Sequence, residues 1–190
     1  MSESLSNATA SLLTAANLLT LSRALIALPC AFFITEQHWV PAAVLFTAAA
    51  LSDYFDGRVA RAAGQSSVAG GVFDHATDAW FVSLCLGAGA YTDQVTLWLA
   101  PLIVLAFLQY VLDSSVLQGK PLRANWLGRG NGIAYFVLTG FVIGIPLLQS
   151  WFPRLSQASD AGVYLASVLI ALSTATSMCI RAAYWWRYRD

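Results

Sequence analysis

Apolar runs such as LIVLAFLQYVL at 102–112 recur six times along the chain, at approximately 18–34, 39–60, 72–91, 95–113, 132–150 and 161–182. Each is close to the 17 to 25 residues that an α-helix needs to cross a hydrocarbon core about 30 Å thick. Within lipid the backbone must satisfy its own hydrogen bonds, which a helix does without a partner segment. Only 11% of the residues are charged and the mean hydropathy is +0.63, where a soluble domain carries about 25% charge. The expected fold is therefore an all-α integral membrane protein of six transmembrane helices. The links are short and rich in Gly, Ser, Pro and charge, so 17–190 reads as one membrane domain with no separate soluble part.

Residues 1–16, MSESLSNATASLLTAA, form a juxtamembrane segment. They lack the basic start and long apolar stretch of a cleaved signal peptide. Leu5, Leu12 and Leu13 among Ser, Thr and Ala suit a short surface helix or a frayed polar terminus.

Orientation follows from the ten basic residues, because those beside short loops set topology. With an inside N-terminus and six spans, Arg23, Arg58, Arg61, Lys120, Arg123, Arg129, Arg181, Arg187 and Arg189 share one side, and Arg154 alone takes the other. Both termini are then cytoplasmic, and the net charge of zero hides a strong difference between the two faces. Cys30, Cys85 and Cys179 lie singly in apolar segments, which suits small packing residues and not a redox or zinc site. The aromatic, basic tail from Tyr184 to Arg189 reads as an interfacial anchor, and nothing points to nucleic acid.

The second span ends in DYFDGRVAR, 53–61, at the cytoplasmic mouth. On a helix, Asp53, Asp56, Gly57, Ala60 and Arg61 fall within an arc of roughly 140°. After a Gly- and Ser-rich link the third span opens with Asp74 and Asp78, an i, i+4 pair on one face. Two antiparallel helices can thus bring four carboxylates together. Such groups repel and are poorly solvated unless a cation sits between them. All-oxygen ligation favours Mg²⁺, Mn²⁺ or Ca²⁺ over zinc, and four ligands suffice for two ions clamping phosphate oxygens. Gly57 and Ala60 leave a slot beside the acids that suits a nucleotide or phosphate, though small residues also serve helix packing.

Residues 53–78 read D-x2-D-G-x2-A-R-x8-G-x3-D-x3-D, with Asp53, Asp56, Gly57, Ala60, Arg61, Gly70, Asp74 and Asp78 at the specified positions. This resembles, without a gap, the signature of the CDP-alcohol phosphatidyltransferases; eight specified residues arise by chance on the order of 10⁻¹⁰ per starting position. The resemblance implies six transmembrane helices with a short N-terminal surface helix, a homodimer, and a cytoplasmic site holding Mg²⁺ or Mn²⁺, two ions in all. It implies transfer of a phosphatidyl group from a CDP-linked lipid such as CDP-diacylglycerol to a polar alcohol, with release of CMP, in phospholipid biosynthesis. By the same resemblance Asp53, Asp56, Asp74 and Asp78 are metal ligands, Asp78 is also the general base, and Gly57, Ala60 and Arg61 line the nucleotide pocket. Asn17, Thr20 and Arg23 resemble an Asn-x-x-Thr-x-x-Arg run of bacterial members and join that pocket by one-face spacing; the competing reading is a cap followed by an interfacial Arg. The expected location is the bacterial inner membrane, among membrane lipids.

The acceptor is less sharply marked. Lys120, Arg123 and Arg129, in QGKPLRANWLGRGN, suit a phosphorylated acceptor such as glycerol-3-phosphate or an inositol phosphate, and equally suit topology determinants beside anionic lipid. Asp113 and Arg181 are further candidates. Asp74-His75 resembles choline and ethanolamine phosphotransferases, although those are larger, and His75, about 100° from Asp74, is expected to serve packing or the interface ahead of a contact to substrate or to a neighbouring carboxylate. A competing class is a cation transporter, since membrane carboxylates also mark ion paths; the acids cluster at one face and helices four to six carry no deep charge, which favours the enzyme.

Overall fold

A computed structural model describes the backbone of residues 15–62, 68–113 and 126–187, and side chains over 21–54, 71–112, 126–154, 159–184 and 186. Its elements are α1 (Ala15–Thr35), α2 (Trp39–Ala62), α3 (Val68–Tyr91), α4 (Leu99–Asp113), α5 (Trp126–Trp151), a 3-10 turn (Pro153–Leu155) and α6 (Ser156–Arg187), with no strand among the described residues. The six helices fall on the six apolar runs. α4 starts at Leu99, later than expected, and α5 starts at Trp126, earlier, so that Arg129 belongs to the first turns of a helix and not to a link. The expected surface helix within 1–16 falls almost wholly outside the described residues.

By length and composition α5 and the stretch Ser159–Tyr184 of α6 are long and apolar enough to cross a membrane, and Leu21–Thr35 and Leu99–Leu112 are shorter apolar stretches. The outer faces of the helices are apolar as well as the inner ones. On α1 the inward set Arg23, Ala27, Cys30 and Ile34 is fully buried, while Leu21, Leu25, Leu28 and Phe32 on the opposite face are exposed. The small Ala27 and Cys30 permit close helix approach; the large outward side chains suit a lipid surround.

α1 packs on α2 and α3; α3 also meets α4 and α5; α6 closes against α4 and α5. At the α3–α5 contact a Cβ on Gly89 would stand 3.1 Å from Val142 Cγ1, so glycine is what lets these helices meet. The core joins Phe81, Cys85 and Leu86 of α3 to Leu99, Leu138, Val142 and Ile143. Cys30 and Cys85, separate in sequence, come into thiol contact across α1 and α3.

Two short turns set the height of the site. α1 ends in a Schellman-type cap, with His38 N donating to Phe33 O at 2.8 Å and Gln37 at φ 56°. α3 ends the same way, with Gln94 N donating to Gly89 O at 2.8 Å and Asp93 at φ 59°. Both caps lie at the same end of the bundle as the start of α2. At 1.5 Å rise per residue, Arg23, Asp53 and Asp78 each lie about 20 Å along their helices from that end. Three turns of unrelated sequence thus arrive at one level.

Candidate active site

The centre of that level is Arg23. Its side chain has no solvent exposure, against 43% for Asp53, 38% for Asp74 and 24% for Asp78. Nη2 pairs with Asp53 Oδ1 at 3.2 Å; Nη1 donates to Asp74 Oδ1 at 3.2 Å and to Asp78 Oδ1. Arg23, expected beside the nucleotide, is therefore also the residue that gathers the carboxylates of α2 and α3. A buried guanidinium needs such partners, since an unpaired charge there is strongly destabilising. Three carboxylates against one guanidinium leave a formal excess of two negative charges, matching a divalent cation.

The donor set fits such an ion. One carboxylate oxygen each from Asp74 and Asp78 and one ring nitrogen of His75 lie within 4.8 Å of one another, and carboxylate oxygens are the donors that hard divalent cations take. Asp53 reaches the same place through Arg23. Asp56 lies one turn beyond Asp53 on the α2 backbone, its side chain outside the described ones. His75 serves packing, as expected, and also offers a ring nitrogen beside the acid pair. It points about 100° from Asp74 but only about 60° from Asp78, so it flanks the acid pair, and its ring packs edge-on to Tyr110 at 6.1 Å.

Beside the acids a cavity of about 650 Å³ opens between α2, α3, α4, α5 and α6. Asp53, His75 and Asp78 line it, as do Arg129 of α5 and Arg181 of α6. Arg181 lies over the Tyr110 ring, its Cζ 4.9 Å from the centroid. Phe107 and Phe136 supply apolar wall, Gln109 and Asn131 polar wall. Gln109 Nε2 donates to the Met178 carbonyl at 3.0 Å, while its buried Oε1 has no hydrogen-bond partner among the described residues.

The remaining expected residues divide plainly. Asn17 and Thr20 are on α1, and Gly57, Ala60 and Arg61 on α2, with side chains outside the described ones. Lys120 and Arg123 lie outside the described residues, as does the side chain of Asp113. Arg129 and Arg181 both line the cavity. Tyr110, Gln109 and Asn131 were not singled out in the sequence. A signal did exist: Asn131, Tyr135 and Thr139, and Thr174, Ser177 and Arg181, repeat every three or four residues on otherwise apolar helices, which places polar groups on one face. These faces meet, with Tyr135 Oη 2.7 Å from Thr174 Oγ1 and Ser173 Oγ donating to Asn131 Oδ1 at 2.7 Å.

The family model described as CDP-alcohol phosphatidyltransferase matches residues 13–186. No curated protein and no solved structure gave a match.

Proposed function

The chain belongs to the CDP-alcohol phosphatidyltransferase family, and from that premise we propose that it transfers the phosphatidyl group of CDP-diacylglycerol to a phosphorylated polar alcohol, releasing CMP. Phosphatidyl transfer from a CDP-alcohol in phospholipid synthesis is the family's reaction; the donor lipid, the acceptor and the site roles are this reading's own. The observation that carries it is the convergence of Asp53, Asp74 and Asp78 on one buried guanidinium at the edge of a cavity that Arg129 and Arg181 also line.

Asp53, Asp56, Asp74 and Asp78 would hold Mg²⁺ or Mn²⁺, two ions, which when bound neutralise the donor's pyrophosphate and polarise the phosphorus under attack. Asp78 borders the cavity, and Asp74 shares the Arg23 Nη1 group with it. In this reading Asp78 takes the proton of the acceptor hydroxyl as that oxygen bonds to the lipid-side phosphorus. The bond from that phosphorus to the CMP oxygen breaks, and CMP leaves. Gly57, Ala60 and Arg61, with Asn17, Thr20 and Arg23, border the nucleotide. Arg129 and Arg181, with Lys120 and Arg123, receive the acceptor's phosphate through charge-assisted hydrogen bonds, and the apolar wall excludes water.

Six membrane-spanning helices, a cytoplasmic site, a homodimer and the bacterial inner membrane complete the proposal. The apolar exteriors of the helices and the single outlying cation, Arg154 in the 3-10 turn at the far end, support this orientation. The test is CMP release by purified protein from CDP-diacylglycerol with Mg²⁺ or Mn²⁺. The acceptors are glycerol-3-phosphate, inositol phosphate, inositol and serine. Release with a phosphorylated member supports the reading; background release with every member removes it and returns the cation transporter.

A further inference from the structure

Arg181 is a long side chain whose guanidinium, left to itself, would sample many positions in a 650 Å³ cavity. It does not hang free. Its Cζ sits 4.9 Å from the Tyr110 centroid, inside the range of a cation–π contact. The same Tyr110 ring meets His75 at 6.1 Å with ring planes 73° apart. One aromatic side chain on α4 therefore touches the cation of α6 and the residue of α3 that lies between Asp74 and Asp78 in the chain, and all three border the cavity with Asp78. Next to it, Gln109 donates to the Met178 carbonyl three residues before Arg181, which fixes α4 and α6 in register at this level.

We propose that Tyr110 is a specificity-determining positioning residue, holding the Arg181 guanidinium against the cavity wall so that the cavity accepts an anionic acceptor and turns away a cationic one. An exposed aromatic face is how proteins bind quaternary ammonium groups. Here a guanidinium lies over that face, so a choline-like headgroup meets a fixed positive charge in place of a π surface. Asp74-His75 resembles the choline and ethanolamine enzymes in sequence, but His75 is packed on a ring that already carries a cation. Preorganisation also spares an incoming phosphate the ordering of Arg181.

The inference rests on the reading that Arg181 meets the acceptor's phosphate, and one experiment separates the two. Dissociation constants for inorganic phosphate and for CDP are measured on the detergent-purified full chain and its Tyr110→Phe, Tyr110→Leu and Arg181→Gln variants. Tyr110→Phe, which keeps the ring, is expected within about twofold of the parent, and Tyr110→Leu weakens phosphate about fivefold, with CDP affinity unchanged in both. The double variant Tyr110→Leu with Arg181→Gln binds phosphate no more weakly than Arg181→Gln alone, as two residues acting through one contact require. Parent-like phosphate binding in Tyr110→Leu, with weakening in Arg181→Gln, overturns the role of Tyr110 and leaves the anion site standing. Parent-like binding in Arg181→Gln overturns both. Should Tyr110→Leu lose CDP binding through misfolding, Tyr110→Met carries the same comparison.

Discussion

Arg23 of α1 and Asp74 of α3 stand 51 residues apart in the chain and 3.2 Å apart in the fold. Arg23 is completely buried and Asp74 is half-buried, so the guanidinium is the fixed partner and the carboxylates arrange themselves around it. The charge that holds the proposed site together thus comes from a helix outside the two that carry the acidic signature.

Arg23→Gln should lower stability in chelator. It removes one cation from beside three carboxylates, leaving like charges opposed; breaking a fully buried pair costs about 3–5 kcal/mol, and the exposure of the acids reduces this to roughly 1–3 kcal/mol. Mn²⁺ should restore most of the loss. Thermal unfolding in detergent, with EDTA and then with Mn²⁺, reads both; a variant as stable as the parent in EDTA would refute the structural role.

Asp78→Asn should lower kcat for CMP release about 10²- to 10⁴-fold while leaving the fold intact. That is the range contributed by a positioned base, and Asn keeps the size of the group facing Arg23. Asp53→Asn, which borders the cavity but has no base role, should fall chiefly through weakened Mg²⁺ dependence. Equal loss in both, with identical metal titrations, would remove the assignment of Asp78 as base.

Tyr135→Phe should destabilise the α5–α6 contact by about 1 kcal/mol, the net worth of one buried hydrogen bond. Thr174 Oγ1 donates to the Ile170 carbonyl at 2.8 Å, so Tyr135 supplies the proton in the 2.7 Å Tyr135–Thr174 pair. Denaturant or thermal midpoints in one detergent measure the change. No shift would mean that a solvent molecule replaces the phenol without loss.

The orientation predicts that a cysteine placed at Arg154 reacts with a membrane-impermeant maleimide from outside intact cells, and one at Trp126 does not. Cys179 is exposed in the isolated chain and is replaced first; Cys30 and Cys85 are buried and stay. Labelling of Trp126→Cys with protection of Arg154→Cys would invert the topology.

The helical architecture was legible in advance because it depends on local properties. Apolar runs of membrane length give helices wherever the surround is lipid, and Asp53, Asp74 and Asp78 fall within 26 residues on two helices joined by a short link, so helical spacing alone brings them to one end. The signature over 53–78 carried the family for the same reason. Arg23 in the carboxylate group, Tyr110 between Arg181 and His75, and the Cys30–Cys85 contact were decided only by tertiary structure. Helices apolar on every side give little sign of which face turns inward or toward which neighbour. Small residues such as Gly89 and Ala27, closing the distances between helices, choose the partners, and the two capped turns set the heights at which distant side chains meet.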